Sequence, residues 1–121
     1  MNQLLQDYND KLLQGTNLRR HKLRCLHMNL DFEWGEEKAN ANLRKHKVGF
    51  EEAKTIFNDP FSITISDPQH SIDEHRFIDI GYSSQERLLV MVYTERESKI
   101  RIISCRKAAK SEKRLYEEGK K

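Results

Sequence analysis

The sequence predicts an α+β domain in which a short strand and two helices precede an antiparallel β-meander, and one helix follows it. Apolar residues recur at helical spacing as far as residue 58, and the apolar period changes to two at Phe61. Four strand-like segments then follow one another with short connections, and consecutive strands joined by tight turns pair antiparallel. The predicted order is β-α-α-β-β-β-β-α, with the two early helices on one face and the other face open.

The first half of this order depends on alternation and on charge placement. Asn29–Trp34 alternates apolar and polar residues, which predicts a strand. Glu36–His46 begins with acids and ends with bases, as favoured by the helix macrodipole, and predicts the first helix. Phe50–Asn58 places Phe50, Ala53 and Phe57 on one face and predicts the second helix, which Asp59 and Pro60 end.

The second half is predicted from period-two patterns. The four strand segments and the closing helix are Phe61–Ile65, His75–Tyr82, Arg87–Thr94, Lys99–Cys105 and Ala108–Glu118. Regular alternation along the last strand would place Ile100, Ile102 and Ser104 on one side, and Arg101, Ile103 and Cys105 on the other.

Two segments divide the 121 residues. We expect residues 28–121 to form one folded domain and residues 1–27 to be a short helix or a poorly ordered N-terminal extension. Five bases and two acids in residues 1–28 are also compatible with a nucleic-acid-binding arm.

Charge is unevenly distributed along the chain, although the net charge is only +3. The stretch from Arg96 to Arg114 carries eight bases and two acids, a local balance of +6, whereas Asn58–Glu86 carries six acids and one base. A strand that leads into a basic helix can concentrate cations for a phosphate backbone. A solvated helix face is the alternative explanation.

Several function classes are disfavoured by composition. Cys25 and Cys105 are isolated, so no metal-binding or redox cysteine motif is present. The sequence lacks an apolar run of the roughly 20 residues that would span a membrane, and it lacks a signal-peptide pattern. We therefore expect a cytoplasmic protein with no cofactor, no structural metal and no membrane partner.

Seven short motifs occur in a recognisable order: Phe32-Glu-Trp, Asn42-Leu-Arg-Lys-His, Phe50-Glu-Glu-Ala, Phe57-Asn-Asp-Pro, Glu74-His-Arg-Phe-Ile-Asp-Ile-Gly, Leu88–Tyr93 followed by Thr94-Glu-Arg, and Ile100-Arg-Ile-Ile-Ser-Cys-Arg-Lys-Ala. Together they resemble the BrnT family of toxins from prokaryotic type II toxin–antitoxin operons, over roughly residues 28–118. The sequence departs from the family where Lys47 replaces a frequent glycine and Gly49 replaces a frequent small polar cap.

The resemblance implies a RelE-like fold and a ribonuclease that cleaves RNA and inhibits translation. It also implies a hetero-oligomer with a BrnA-like ribbon-helix-helix antitoxin, through which the complex would bind operator DNA. The alternative is a non-catalytic protein that binds nucleic acid or serves as a co-repressor partner.

Metal-independent RNA cleavage needs a base for the 2′-hydroxyl, cations for the phosphorane and an acid for the leaving oxygen. Arg76, Arg106 and His46 are the predicted catalytic residues, because arginine holds phosphate oxygens and histidine titrates near neutrality. Arg101, Arg96, Lys107 and Lys45 are the predicted substrate-binding residues.

Each of these residues also has a structural explanation. Arg76 could pair with a neighbouring acid, and Arg106 could extend its charged end into water. His46 could cap helix carbonyls, and Arg96 could be a solvated turn residue. The sequence alone does not identify the general base and acid.

Overall fold

The computed structural model describes residues 30–67 and 75–119. These residues form an α+β domain with a five-stranded, mostly antiparallel sheet and three α-helices, which confirms the predicted class. The expected N-terminal extension, residues 1–27, lies outside the described residues, so the predicted domain boundary stays a prediction.

The elements occur in the following order: β1 (Asp31–Glu33), α1 (Glu36–His46), α2 (Phe50–Ala53), a 3-10 helix (Lys54–Asn58), β2 (Ile63–Ser66), β3 (Arg76–Tyr82), β4 (Leu88–Arg96), β5 (Lys99–Lys107) and α3 (Lys110–Gly119). The predicted second helix is therefore α-helical for only four residues and then narrows to a 3-10 helix. Among the described residues, no helix is both long and apolar enough to cross a membrane.

Asp59 explains why the chain turns after the 3-10 helix. Its carboxylate accepts hydrogen bonds from the Phe61 N–H at 2.9 Å, the Tyr82 N–H at 2.9 Å and the Tyr116 hydroxyl at 2.7 Å. The Asp59 side chain thus connects the turn to β3 and α3. Its three hydrogen bonds to a charged acceptor compensate for the partial loss of water around the carboxylate.

The sheet has the strand order β1-β5-β4-β3-β2. Strands β2 to β5 form the predicted meander. Strand β1 pairs with β5 in parallel, with Phe32 opposite Ile100 and Glu33 opposite Arg101. The first strand is therefore an edge strand of the sheet, next to β5. The sequence pattern did not specify this placement.

A β-bulge interrupts the pairing of β4 with β5. Tyr93 lies opposite Ile102, but Val92 lies opposite Ser104, so Ile103 is an extra residue on β5. The regular alternation predicted for this strand is therefore wrong after Ile102, and Cys105 packs in the same core as Ile102. Beyond the bulge, Arg106 lies on the same face as Arg101.

Each face of the sheet carries its own core. The first face contains Leu89, Met91 and Tyr93 and is covered by α1, α2 and the 3-10 helix. The second face contains Ile78, Ile80 and Val90, and Leu115 and Tyr116 of α3 pack on it. The expectation of an open second face is therefore wrong for the part that α3 covers.

Asn42 fastens α1 to the sheet. Its side-chain amide donates to the carbonyl oxygens of Val48 at 2.9 Å and Cys105 at 2.8 Å, and its Oδ1 accepts from the Cys105 N–H at 3.1 Å. The residue is buried, and all three bonds involve buried groups. Asn42 therefore fixes β5 just beyond the bulge.

Candidate functional site

Four residues from four strands lie at one level of the second face. Arg76 of β3 is opposite Thr94 of β4, Thr94 is opposite Arg101 of β5, and Arg101 is opposite Glu33 of β1. We call this row the Thr94 level. Leu115 and Tyr116 of α3 contact the second face around Ile78, Ile80 and Val90, further along the strands.

Register and packing place Glu33 on this face. Leu30, Phe32 and Trp34 alternate along the first segment and all pack against the core of the first face. The intervening residues Asp31 and Glu33 therefore project from the opposite side of the strand. An ion pair between Arg101 Nη1 and Glu33 Oε2 at 3.7 Å agrees with this placement.

The two arginines flank Thr94. The strands that carry Arg76 and Arg101 are two strand spacings apart, or about 9.5 Å. Thr94 between them is 2% exposed, and its Oγ1 has no hydrogen-bond partner within the described part of the chain. Ser62 and Thr64 carry buried hydroxyls of the same kind, and Thr94 differs from them in having an arginine opposite it on each neighbouring strand.

Acidic residues lie at both ends of the Thr94 level. Glu33 pairs with Arg101 at one end. At the other end, the Asp67 N–H donates to the Arg76 carbonyl oxygen at 2.9 Å, which places the largely buried Asp67 beside Arg76. The level therefore combines two arginines, a threonine and a glutamate with an aspartate that is paired through its backbone, and this combination could bind an anion and accept a proton.

Arg106 lies on the second face but is held within the fold. Its guanidinium group donates two 2.7 Å hydrogen bonds to the carboxylate of Glu112 on α3. Glu112 also accepts from the Ala109 N–H at 2.8 Å. Burial acts to raise the pKa of Glu112, but the bonds from Arg106 and Ala109 outweigh it and lower the pKa below its ordinary value.

The structure does not bring Arg106 close to Arg76. Arg106 is opposite Val90, which is opposite Ile80, so Arg106 lies four residues along the strands from the Thr94 level. This offset is about 13 Å along the strand direction. With the two strand spacings added, the Cα atoms of Arg76 and Arg106 are about 16 Å apart. The predicted pairing of these two arginines around one phosphate is therefore less favourable than the pairing of Arg76 with Arg101.

The other predicted site residues are dispersed. Arg96 is exposed at the end of β4, two residues beyond Thr94 and on the same face. Lys107 lies opposite Leu89 on the first face. Lys45 and His46 belong to the last turn of α1, which also packs on the first face. The sheet therefore lies between these three residues and the Thr94 level.

A second buried ion pair serves the fold. Arg87 Nε donates to Glu52 Oε2 at 2.9 Å, and the Ser83 hydroxyl donates to the same oxygen at 2.7 Å. The hydrogen bond from Arg87 is the main reason that the pKa of Glu52 is lowered. Burial raises the pKa of the nearby Cys105 thiol to about 12, so this thiol is protonated at neutral pH.

The sequence does not single out two members of the Thr94 level, Thr94 and Glu33, as candidate site residues. Both residues occur in the sequence only as members of short motifs, Phe32-Glu-Trp and Thr94-Glu-Arg. Their shared level depends on the parallel pairing of β1 with β5, which joins residues 68 positions apart at Glu33 and Arg101. No short-range pattern carries that information. Within the described residues, no cluster of three His, Cys, Asp or Glu residues is arranged to hold a metal ion.

Comparison with known proteins shows similarity to a protein family and to a solved structure. The family profile described as "Ribonuclease toxin, BrnT, of type II toxin-antitoxin system" matches residues 34–112. The 1.1 Å crystal structure of the Brucella abortus ribonuclease toxin BrnT superimposes with a TM-score of 0.51 at 20% sequence identity, covering 68% of this chain and 100% of that one. At this identity the superposition shows a shared fold. Among curated proteins, no match was found.

Proposed function

Because the chain belongs to the BrnT family of ribonuclease toxins of type II toxin–antitoxin systems, we propose that it cleaves RNA at the Thr94 level and thereby inhibits translation. The observation that supports this location most strongly is the pair of arginines on either side of the buried Thr94 hydroxyl, which has no hydrogen-bond partner among residues 30–67 and 75–119. An RNA target places the proposed activity in the cytoplasm.

In this proposal Arg76 and Arg101 hold the non-bridging oxygens of the scissile phosphate. Arginine suits this role because its planar group donates two parallel hydrogen bonds and keeps its charge at all physiological pH values. Negative charge increases on these oxygens as the phosphorane forms, so the two cations stabilise the transition state more than the ground state. The Thr94 hydroxyl would donate to the same phosphate.

The predicted site residues other than Arg76 and Arg101 have different proposed roles. Arg96 lies next to the Thr94 level on the same face and is proposed to bind a neighbouring phosphate. Arg106 is proposed to position α3 through Glu112, since both of its terminal nitrogens already donate to that carboxylate. Roles for His46, Lys45 and Lys107 in RNA binding stay predictions, because these residues lie on the other side of the sheet.

We further propose that the reaction needs no metal, because the two guanidinium groups can supply the positive charge that a metal ion would otherwise supply. Cleavage should then persist at an unchanged rate in excess EDTA. Loss of cleavage in EDTA, restored by added Mg²⁺, would contradict this part of the proposal.

Membership of a type II system implies an antitoxin partner. We propose that this partner is a BrnA-like protein with a ribbon-helix-helix segment, and that the complex binds operator DNA. Co-expression of the adjacent small reading frame should restore growth, and a complex should be recovered by affinity purification of either protein. The RelE-like relationship of the fold belongs to the same proposal.

The proposed cleavage is tested with the isolated protein and a defined single-stranded RNA transcript. Arg76→Ala and Arg101→Ala should each lower the rate of cleavage by roughly 10²- to 10³-fold, the usual loss for one transition-state donor. Arg44→Ala is the matched control, because Arg44 is an exposed arginine of α1, which packs on the first face. Its rate should equal that of the unaltered protein.

The same variants distinguish the alternative function. A non-catalytic nucleic-acid-binding or co-repressor protein would bind RNA or antitoxin without producing new 5′ ends in cells that express it alone. Mapping of 5′ ends after induction therefore separates the two hypotheses. Full activity in the Arg76→Ala, Arg101→Ala double variant would show that cleavage occurs elsewhere on the protein.

A further inference from the structure

We infer that Glu33 is the general base of the proposed reaction and removes the proton from the attacking 2′-hydroxyl. This inference rests on the proposed RNA cleavage and adds the group that the arginines cannot supply. A guanidinium group stays protonated in proteins and is therefore a poor proton acceptor at neutral pH. The Thr94 hydroxyl is a weak base. The proton acceptor must then be another group close to the phosphate.

Position favours Glu33 over Asp67 and Glu112 as the proton acceptor. Its carboxylate is 3.7 Å from Nη1 of Arg101, so a phosphate bound by Arg101 would lie next to it. The side chain is 31% exposed, which leaves the carboxylate accessible to a bound nucleotide. Asp67 is only 8% exposed, and Glu112 is already engaged by Arg106 and Ala109.

The long separation in the ion pair is informative. At 3.7 Å, the Arg101 to Glu33 contact exceeds hydrogen-bond distance, in contrast to the 2.7 Å bonds between Arg106 and Glu112. The carboxylate of Glu33 therefore keeps lone pairs for a 2′-hydroxyl, whereas that of Glu112 is used within the fold. The terminal Nη2 of Arg101 also lies 3.9 Å from the position that a Cβ at Gly35 would occupy, so this guanidinium group reaches the segment that follows β1.

The chemical step conserves atoms and charge. The carboxylate of Glu33 takes the proton of the 2′-hydroxyl, and the 2′-oxygen forms a bond to the adjacent phosphorus. The bond from phosphorus to the 5′-oxygen breaks, and that oxygen takes a proton from solvent. The products are a 2′,3′-cyclic phosphate and a 5′-hydroxyl. No oxidant, reductant or co-substrate is required.

Within the described part of the chain, the strand register places three charged residues near Glu33. Arg101 and Lys99 face it from β5, and Asp31 lies two residues away on its own strand. Asp31 is exposed, has the same orientation as Glu33 and lies opposite Lys99 at the next level. It therefore provides a matched control, because Asp31→Asn makes the same chemical change on the same strand outside the Thr94 level.

The test measures kcat and KM against pH with the full chain and a short RNA that spans a cleavage position mapped on the transcript. Glu33→Gln should lower kcat by roughly 10²- to 10⁴-fold, the range for loss of a general base, and should remove the acidic limb of the pH profile. Glu33→Asp should recover part of the rate. Asp31→Asn should behave like the unaltered protein.

Binding to the uncleavable 2′-deoxy analogue distinguishes two roles of Glu33: general base, or a residue that only orients Arg101. If Glu33 is the base, Glu33→Gln should bind this analogue at least as tightly as the unaltered protein, because a negative charge near the phosphate is removed. A raised KM with unchanged kcat and an intact acidic limb would overturn the inference and leave RNA cleavage standing. An unaltered protein that produces no cleaved RNA would overturn the proposed function itself. Thermal unfolding of each variant checks the fold.

Discussion

Replacement of Asn42 by alanine should destabilise the protein more than replacement of the neighbouring Leu43. Asn42→Ala removes three buried hydrogen bonds and leaves the carbonyl oxygens of Val48 and Cys105 and the Cys105 N–H without their partner. An unsatisfied buried polar group costs about 1 to 3 kcal/mol. Because a water molecule can replace part of the amide, we expect a loss of about 3 kcal/mol in the free energy of unfolding.

Leu43→Ala is the control because Leu43 follows Asn42 on the same helix and is 50% exposed. Changes at exposed sites usually alter stability by about 0.5 kcal/mol or less, and alanine is a slightly better helix former than leucine. Equilibrium urea unfolding of both variants measures the difference, with the m-value as a check that both unfold from a similarly compact state. Thermal unfolding should show a decrease of roughly 10 to 20 °C for Asn42→Ala. Equal losses in the two variants would refute the role assigned to Asn42.

Two further predictions concern charge and backbone conformation. Since the pKa of Glu112 is lowered in the folded state from an ordinary 4.5, its contribution to stability is present above that value and is lost as the pH falls through the lower, folded-state pKa. Glu112→Gln should therefore be less stable at pH 7 and should lose less stability between about pH 5 and pH 3 than the unaltered protein; parallel curves in urea unfolding would contradict this. Lys47 ends α1 at φ 61°, a left-handed conformation that glycine adopts readily, so Lys47→Gly should raise the unfolding free energy by about 0.5 to 1 kcal/mol. Lys38→Gly, inside the same helix, should lower it by about 0.7 kcal/mol, and a decrease in both variants would refute the reasoning about Lys47.

Local patterns predicted most of the secondary structure. The ends of α1 at Glu36 and His46 agree with the prediction, because acids and bases mark the two ends of the helix. The alternation of Arg76, Ile78 and Ile80 against Phe77 and Asp79 also agrees with the two cores. In these elements, the residues that the helical or strand period assigns to one face are also the residues that pack together in one core.

Other features depended on contacts that are distant in sequence. A bulge at Ile103 has no local signal, since Ile102 and Ile103 are both apolar and either could face a core. The position of Arg106 follows from this one extra residue. Its pairing with Glu112 further depends on where α3 packs. The sequence therefore identifies candidate arginines, but it does not show which of them form ion pairs that stabilise the fold.

Charge counted along the chain also overstated the charge available at the site. The fold distributes the eight bases of Arg96 to Arg114 over different surfaces: Lys107 lies on the first face, Arg106 is neutralised by Glu112, and others lie on α3.

At the Thr94 level itself, two arginines are accompanied by the carboxylates of Glu33 and Asp67, so the formal charge of the row is zero. A row without net charge attracts a polyanion weakly at long range. In the proposed mechanism the row still favours a phosphorane over a phosphodiester, because strands β3 and β5 of one sheet carry the two arginines. Fixed donors stabilise charge that develops during the reaction without first having to reorganise. The arrangement therefore suits catalysis at one phosphate better than tight binding of many.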